Sequence, residues 1–431
     1  MIWALRSLVL AACCLLPPAL AGAAEERPSP SPSPTAKPTP GPTLTWRNIG
    51  PAVSGGRATS VVGSDLDPSL FYVGAAGGGL WQSTNGGADF HSVTIPGASQ
   101  SIGALAIAQK DVKDVWVGTG EGWPRNDVIA GNGIFHSTDG GKTWKAAGLA
   151  ATSQIVRIVI DPRDAKHVIV AALGDPFKDS TDRGIFVTRD AGATWSNVLS
   201  PSPSTGASDV AIDPAHPDTL YAGMWDFRRS SWQLRSGGPT DGLYRSTDGG
   251  ASWTHLTGNG LPAGITGRVA VAIAPSDSKR IYALIESPEG LLWRSDDGGV
   301  SWARVSSNSL INERPFYYSR ITVDPHDRDH LFSVSVKLAE SNTGGKTWHL
   351  SGRRIHGDHH DVWFANDGHT IYEANDGGAV VSRDNGKTWD WRNVLPISQL
   401  YHISVGSGRP YTICGGLQDN GSWCAPSDSG D

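Results

Sequence analysis

No long run of lysine or arginine occurs anywhere in this chain, and its net charge is only −6 over 431 residues. Nucleic-acid binding therefore lacks its electrostatic footprint. Long polar helical stretches are few. Beyond residue 24 no apolar run is long enough to cross a bilayer. Cysteine is scarce, with 4 residues. Cys13 and Cys14 lie in the apolar N-terminal stretch, which leaves Cys414 and Cys424. An even pair in an exported chain favours a disulfide, with two free thiols as the alternative. Abundance lies elsewhere, in 53 glycines and 17 tryptophans. Such a composition points to many short strands joined by glycine-bearing turns.

Residues 1–24 read as an export signal. Arg6 gives the positive charge, residues 7–20 the apolar stretch, and Ala21-Gly22-Ala23 a small-residue cleavage site. The expectation is an extracellular, periplasmic or cell-surface protein with no transmembrane segment after processing. Leu10-Ala11-Ala12-Cys13 offers a minority alternative, lipoprotein anchoring through Cys13. Residues 25–43, rich in alternating proline, serine and threonine, favour an extended spacer rather than a core.

From residue 44 the chain repeats itself. Seven variants of one eight-residue turn occupy 83–90, 137–144, 188–195, 246–253, 295–302, 341–348 and 382–389. Their third position is Asn85, Asp139, Asp190, Asp248, Asp297, Thr343 and Asp384. A period of this kind marks a repeat architecture. A Ser or Thr hydroxyl and an Asp carboxylate can both accept backbone N–H groups, the fifth-position glycine tolerates positive φ, and the closing Trp or Phe buries apolar area. Seven copies of one device argue for a structural role of these aspartates.

Each unit opens with an alternating strand such as 208–213 or 268–274, followed by a second strand, a variable loop, a third strand into the turn, and a fourth leaving it. Four antiparallel strands per roughly fifty residues make a β-propeller blade. The fold class predicted is all-β: seven complete four-stranded blades over 44–398, with 399–431 as a partial last blade or the start of a second propeller. Trp46-Arg47-Asn48-Ile49-Gly50-Pro51 echoes Trp391-Arg392-Asn393-Val394-Leu395-Pro396, the strand after a turn. An eighth, composite blade closed by this N-terminal strand is therefore an explicit expectation.

The turn sequence S/T-x-D-x-G-x-T-W resembles the Asp-box, or BNR repeat, and the span from about 44 to 424 resembles an Asp-box propeller. The resemblance implies the fold, and it spans sialidases, two-propeller xyloglucanases, sortilin-type receptors and photosystem assembly factors. Three segments resemble large exported bacterial proteins with sortilin-type propellers: Gly50-Pro51 to Gly55-Gly56-Arg57, His356-Gly357-Asp358-His359-His360, and Gly415-Gly416-Leu417-Gln418-Asp419-Asn420-Gly421. Those proteins are longer, so a second propeller in a parent chain is implied.

Asp-box turns join third to fourth strands, so functional loops are expected at the opposite end of the ring. Glu121, Asp127, Asp226 and Asp358 are the carboxylates available for paired acid–base chemistry. Trp123, Arg125, Trp225, Arg228, Trp232, Arg268, Tyr317, Tyr318 and Arg320 offer stacking and charged hydrogen bonds to a ligand. His356, Asp358 and His360 would share one face of an extended segment and could hold a divalent metal, or form a hydrogen-bonded network instead. The reading preferred on sequence is an exported binding scaffold for a glycan or peptide, requiring no cofactor. The alternative is a glycoside hydrolase of sialidase or xyloglucanase type.

Overall fold

In the computed structural model, residue 49 and residues 55–390 and 395–429 are described. Expectations for residues 1–24, for 25–43 and for the strand from Trp46, Ile49 apart, lie outside them. Seven antiparallel sheets follow one another over 58–93, 102–146, 155–199, 205–256, 269–306, 320–350 and 359–382, and we number these blades one to seven. Six have the four-stranded ladder predicted. Blade four adds a short strand, Leu234–Ser236, beside its second strand. Blade seven shows three strands and an isolated bridge from Val381 to Asp390. Among the described residues no helix is long and apolar enough to cross a membrane.

The Asp-box turns form as their chemistry requires. Ser137 Oγ accepts the Gly141 N–H at 2.9 Å, and Asp139 Oδ1 accepts the Thr143 N–H at 2.8 Å. The Thr143 hydroxyl donates to Asp139 Oδ2 at 2.6 Å, and these bonds hold the carboxyl down at about 2. Gly141 has φ 83°, a conformation open to glycine. Thr343, which has no carboxylate, substitutes its hydroxyl, accepting the Thr347 N–H at 2.9 Å.

The ring closes between blades one and seven. Phe71 stacks on Tyr372 with centroids 3.9 Å apart, and Asn366 N–H donates to Asp65 at 2.9 Å. Ala58, Val61 and Val73 share one apolar cluster with Ala374, Ala379 and Val381. Gly63 gives room for the Trp363 ring, which a Cβ there would approach to 2.3 Å. Closure is thus made by blade one itself rather than by a composite eighth blade. The eighth sheet (Leu400–Val405, Thr412–Leu417, Ser422–Pro426) does not intervene between these two blades. Its first strand is largely exposed. The Cys414–Cys424 disulfide staples its second and third strands. Ser429 donates to the Ile49 carbonyl at 3.0 Å, so the chain preceding blade one does approach this sheet.

Each first strand runs along the central axis, and five of the seven carry a register shift near their start. Thr59, Gly103, Val156, Ser208 and His360 are the residues stepped over. A bulge re-aims the side chains around it. Here it turns Arg157, Asp209 and Asp361, each just after a bulge, toward one another at the channel's loop-side end.

Candidate functional site

Two layers of charge fill the loop-side mouth. The inner layer is a plug. Arg320 Nη1 lies 2.7 Å from Asp361, and Arg157 Nε donates to Asp209 at 3.2 Å. Arg268 donates to the carbonyls of Tyr317 at 2.7 Å and Gly122 at 3.2 Å. Trp123, only 1% exposed, lies under two of these three cations, 4.7 Å from Arg268 and 5.0 Å from Arg320. Burial, followed by the neighbouring Arg320 cation, brings Arg268 down to about 9.

The outer layer is built around Arg57, which immediately precedes blade one. Its Nη1 donates to Glu121 at 2.8 Å and its Nη2 to Asp376 at 3.0 Å, while Tyr317 Oη also receives Nη1. Tyr317 Oη lies 3.3 Å from His360 Nε2, which in turn lies 3.6 Å from Asp376. Burial, with the Arg57 cation nearby, pushes His360 well below its ordinary range. Asp358, Asp376 and Asp419 each bring an oxygen within 4.8 Å of the others. Burial pushes Asp376 up to about 7; Arg57 opposes this, and the Asp358, Asp419 and Glu121 charges add to it. A proton on Asp376 at neutral pH relieves an otherwise crowded anionic group.

The final sheet completes this layer. Asn420 donates to the Asp376 carbonyl at 3.0 Å, and Arg125 donates to Gln418 at 3.1 Å and Gln399 at 3.3 Å. The three segments singled out for their resemblance thus converge, through Arg57, through Asp358 with His360, and through Asp419 with Asn420. Asp376 had no signal of its own in the sequence, since Asn375-Asp376-Gly377-Gly378 looks like another tight turn. A groove of about 230 Å³ beside the cluster is lined by residues that include Arg57, Arg125, Asp127, Ile129 and Gln399.

Other expectations change. Tyr317, Tyr318, Trp225, Arg268 and Arg320 join Trp123 as buried residues, so their rings and cations face the plug rather than an open ligand surface. Trp232 is 86% exposed, on blade four, and Arg228 is tied to Asp179 and to the Phe177 carbonyl. Asp226 also belongs to blade four, held by Arg235 at 2.7 Å and by Ser204 at 2.8 Å. The His356–Asp358–His360 metal set is not assembled. Both His356 nitrogens lie against carbonyls, of Gly357 at 2.8 Å and Asp419 at 3.0 Å, an arrangement that asks for two N–H donors and leaves no lone pair for an ion. The acidic triad takes its place as the group able to hold a cation.

A separate titration follows in blade four. Asp241 accepts the Asp226 N–H at 2.6 Å, and burial raises its carboxyl to about 8. A carboxyl raised on folding contributes stability that is present below its unfolded value and lost as pH rises through its folded value. Asp241→Asn cannot ionise. Its melting temperature relative to the parent protein is expected to rise steadily between pH 4 and pH 9; a pH-independent difference in thermal melts would refute the assignment.

Comparison with known proteins agrees with this architecture. The BNR/Asp-box repeat model matches residues 135–146. A xyloglucanase from Paenibacillus sp is 27% identical over 240 residues, covering 50% of this chain and 22% of the relative. The xyloglucanase of Hypocrea jecorina is 26% identical over 242 residues, covering 50% of this chain and 28% of the relative. The chain therefore spans less than a third of the length of these curated relatives. Among solved structures, a Niastella koreensis GH74 enzyme superposes with a TM-score of 0.62 at 16% identity, covering 90% of this chain and 61% of that one. Ring, turns and neighbours agree: this chain is a β-propeller built from Asp-box repeats.

Proposed function

We propose that this propeller acts on a xyloglucan-type glycan at its loop face, as the glycan-engaging part of a glycoside hydrolase. The single observation that carries the reading is the carboxylate group at the mouth. Asp358, Asp376 and Asp419 come from three separate segments, and one of them is raised to about 7. A protonated carboxyl beside ionised ones is the division of labour that glycosidic cleavage needs. Asp376 would act as general acid and the more accessible Asp358 or Asp419 as the second carboxyl group of the pair. The relatives named xyloglucanases supply the substrate class. An exported location and a second propeller that completes the cleft belong to the same reading.

The test is release of reducing ends from polymeric xyloglucan. Asp376→Asn is expected to lower kcat by about 10²-fold or more with KM little changed, and Asp384→Asn, on the opposite end of the ring, to leave turnover intact. The activity of the parent protein should fall as pH passes above 7. Turnover abolished by EDTA and restored by calcium or magnesium would reassign the triad as a cation site.

One observation favours the binding-scaffold reading. The groove beside the cluster carries Arg57 and Arg125 and no aromatic ring among its described lining residues, a surface suited to hydrogen-bonding a polar chain rather than stacking sugar rings. Saturable xyloglucan binding without turnover would decide for it.

A further inference from the structure

A second, larger cavity lies on the other side of the plug from the groove beside the cluster. It measures about 670 Å³ and runs down the central axis toward the Asp-box end. All seven first strands line it, with Val61, Leu105, Ile158, Ile212, Ile273 and Val323 among the contributors. The wall is mostly aliphatic. Its far end lies among the turns between first and second strands, where Lys110 and Arg163 are exposed cations on the rim. Only two charged side chains lie at the closed end, Arg157 and Asp361.

Those two groups are unequally satisfied. Asp361 is saturated: Oδ1 is 2.7 Å from Arg320 and accepts the Val362 N–H at 3.2 Å, while Oδ2 accepts the Val61 N–H at 3.2 Å and the Ser60 hydroxyl at 3.3 Å. Asp209, behind the wall, accepts from Val210 at 2.9 Å and Val271 at 3.1 Å besides Arg157. Arg157 donates a single hydrogen bond among the described residues, from Nε. Its Nη1 stands 3.6 Å from Asp361, beyond hydrogen-bond range, and a quarter of the side chain stays exposed. A guanidinium with free donors thus ends an apolar tube whose rim carries Lys110 and an Arg163 that is paired with Asp161 and Asp218. Arginine binds carboxylates in this way, through paired N–H donors. A cavity of this size falls within the range of small-molecule sites.

We propose that the channel binds a fatty carboxylate, its head on Arg157 and its tail along the aliphatic strands toward the Asp-box end. This site is separate from the loop-face cluster and does not depend on the glycan reading. The Asp-box end, which sequence reasoning treats as structural, then carries a function of its own.

The probe is sodium decanoate, kept below its micellar concentration and titrated calorimetrically into the full chain. Saturable 1:1 binding is expected, tightening about fourfold per added methylene from hexanoate to decanoate. Decanol should bind at least ~10-fold more weakly, because it lacks the charge that the arginine reads. Arg157→Gln should abolish the preference for decanoate over decanol. Ala211→Phe, which narrows the channel without touching the charges, should weaken both ligands. Thermal melts establish that each variant is folded; if Arg157→Gln does not fold, the decanoate–decanol comparison and Ala211→Phe carry the test. No saturable binding, no dependence on chain length, or equal affinity for acid and alcohol would overturn the proposal. Competition by an apolar peptide with a free C-terminal carboxylate, but not by decanoate, would overturn it as well.

Discussion

Replacing Arg57 by methionine is expected to cost about 3–5 kcal/mol of folding stability, a large part of the total for a typical domain. The size follows from what the guanidinium neutralises. Glu121 and Asp376, both almost fully buried, share it as a hydrogen-bonded cation at 2.8 and 3.0 Å. Methionine keeps the volume and removes the charge, leaving two carboxylates facing each other across an apolar side chain. Asp376, already raised by burial, is pushed further up when the cation goes, while Glu121 keeps Arg125 Nε at 3.5 Å. The folded variant then holds the Asp376 proton more tightly than the unfolded chain does, so the loss grows as pH rises. Urea denaturation at pH 5 and pH 8 measures this directly. The triple variant Arg57→Met, Glu121→Gln, Asp376→Asn should recover most of the stability at pH 8, since both carboxylates that the guanidinium neutralised are then uncharged. Arg57→Lys should not substitute, because an ammonium cannot span both carboxylates and the Tyr317 hydroxyl at once. A pH-independent loss, or none, would show that Arg57 does not hold the cluster together.

Arg57 also shows where sequence reading reaches its limit. The Asp-box turns were legible because each is a local device: Ser137, Asp139, Gly141 and Trp144 satisfy one another within eight residues, and the same hydrogen bonds recur wherever the spacing recurs. The blade order follows from the period. Ring closure was not legible, because it depends on Phe71 meeting Tyr372 and on Gly63 making room for Trp363, partners 300 residues apart. The mouth was read in part. His360 and Asp358 stood out as a dense cluster, but their roles were set by the bulge that turns His360 inward and by Asp376, which looks like any turn aspartate. Trp123, Tyr317 and Tyr318 have the composition of a stacking surface. Only packing decides that they are covered, because aromatic and arginine side chains serve a buried plug and an open ligand platform equally well.

Trp123→Ala is the second large effect, expected at about 3–5 kcal/mol. The indole fills the space between the two layers of the mouth and donates to the Thr59 carbonyl at 3.1 Å. Its ring also faces Arg268 and Arg320, and cations desolvated against a tryptophan gain about 2 kcal/mol or more each. Truncation removes volume, hydrogen bond and ring together. Trp123→Phe separates them: it keeps a ring beneath both guanidiniums, empties less space, and should cost about 1–3 kcal/mol by comparison, mostly the unsatisfied Thr59 carbonyl. Chemical denaturation of the two variants gives the ratio. If Phe were as costly as Ala, the hydrogen bond rather than the ring would be the source of the plug's stability. The consequence for function is a matter of partition. In the parent protein Trp123 packs between the charged cluster of the loop side and the cations of the plug, so a ligand on one side need not alter the other. With alanine in its place, water gains a path to Arg268 and Arg320 from the loop side, and Arg268, held down to about 9 by burial, regains its ordinary basicity. Coupling between xyloglucan and decanoate binding, absent in the parent protein, should then appear in the variant.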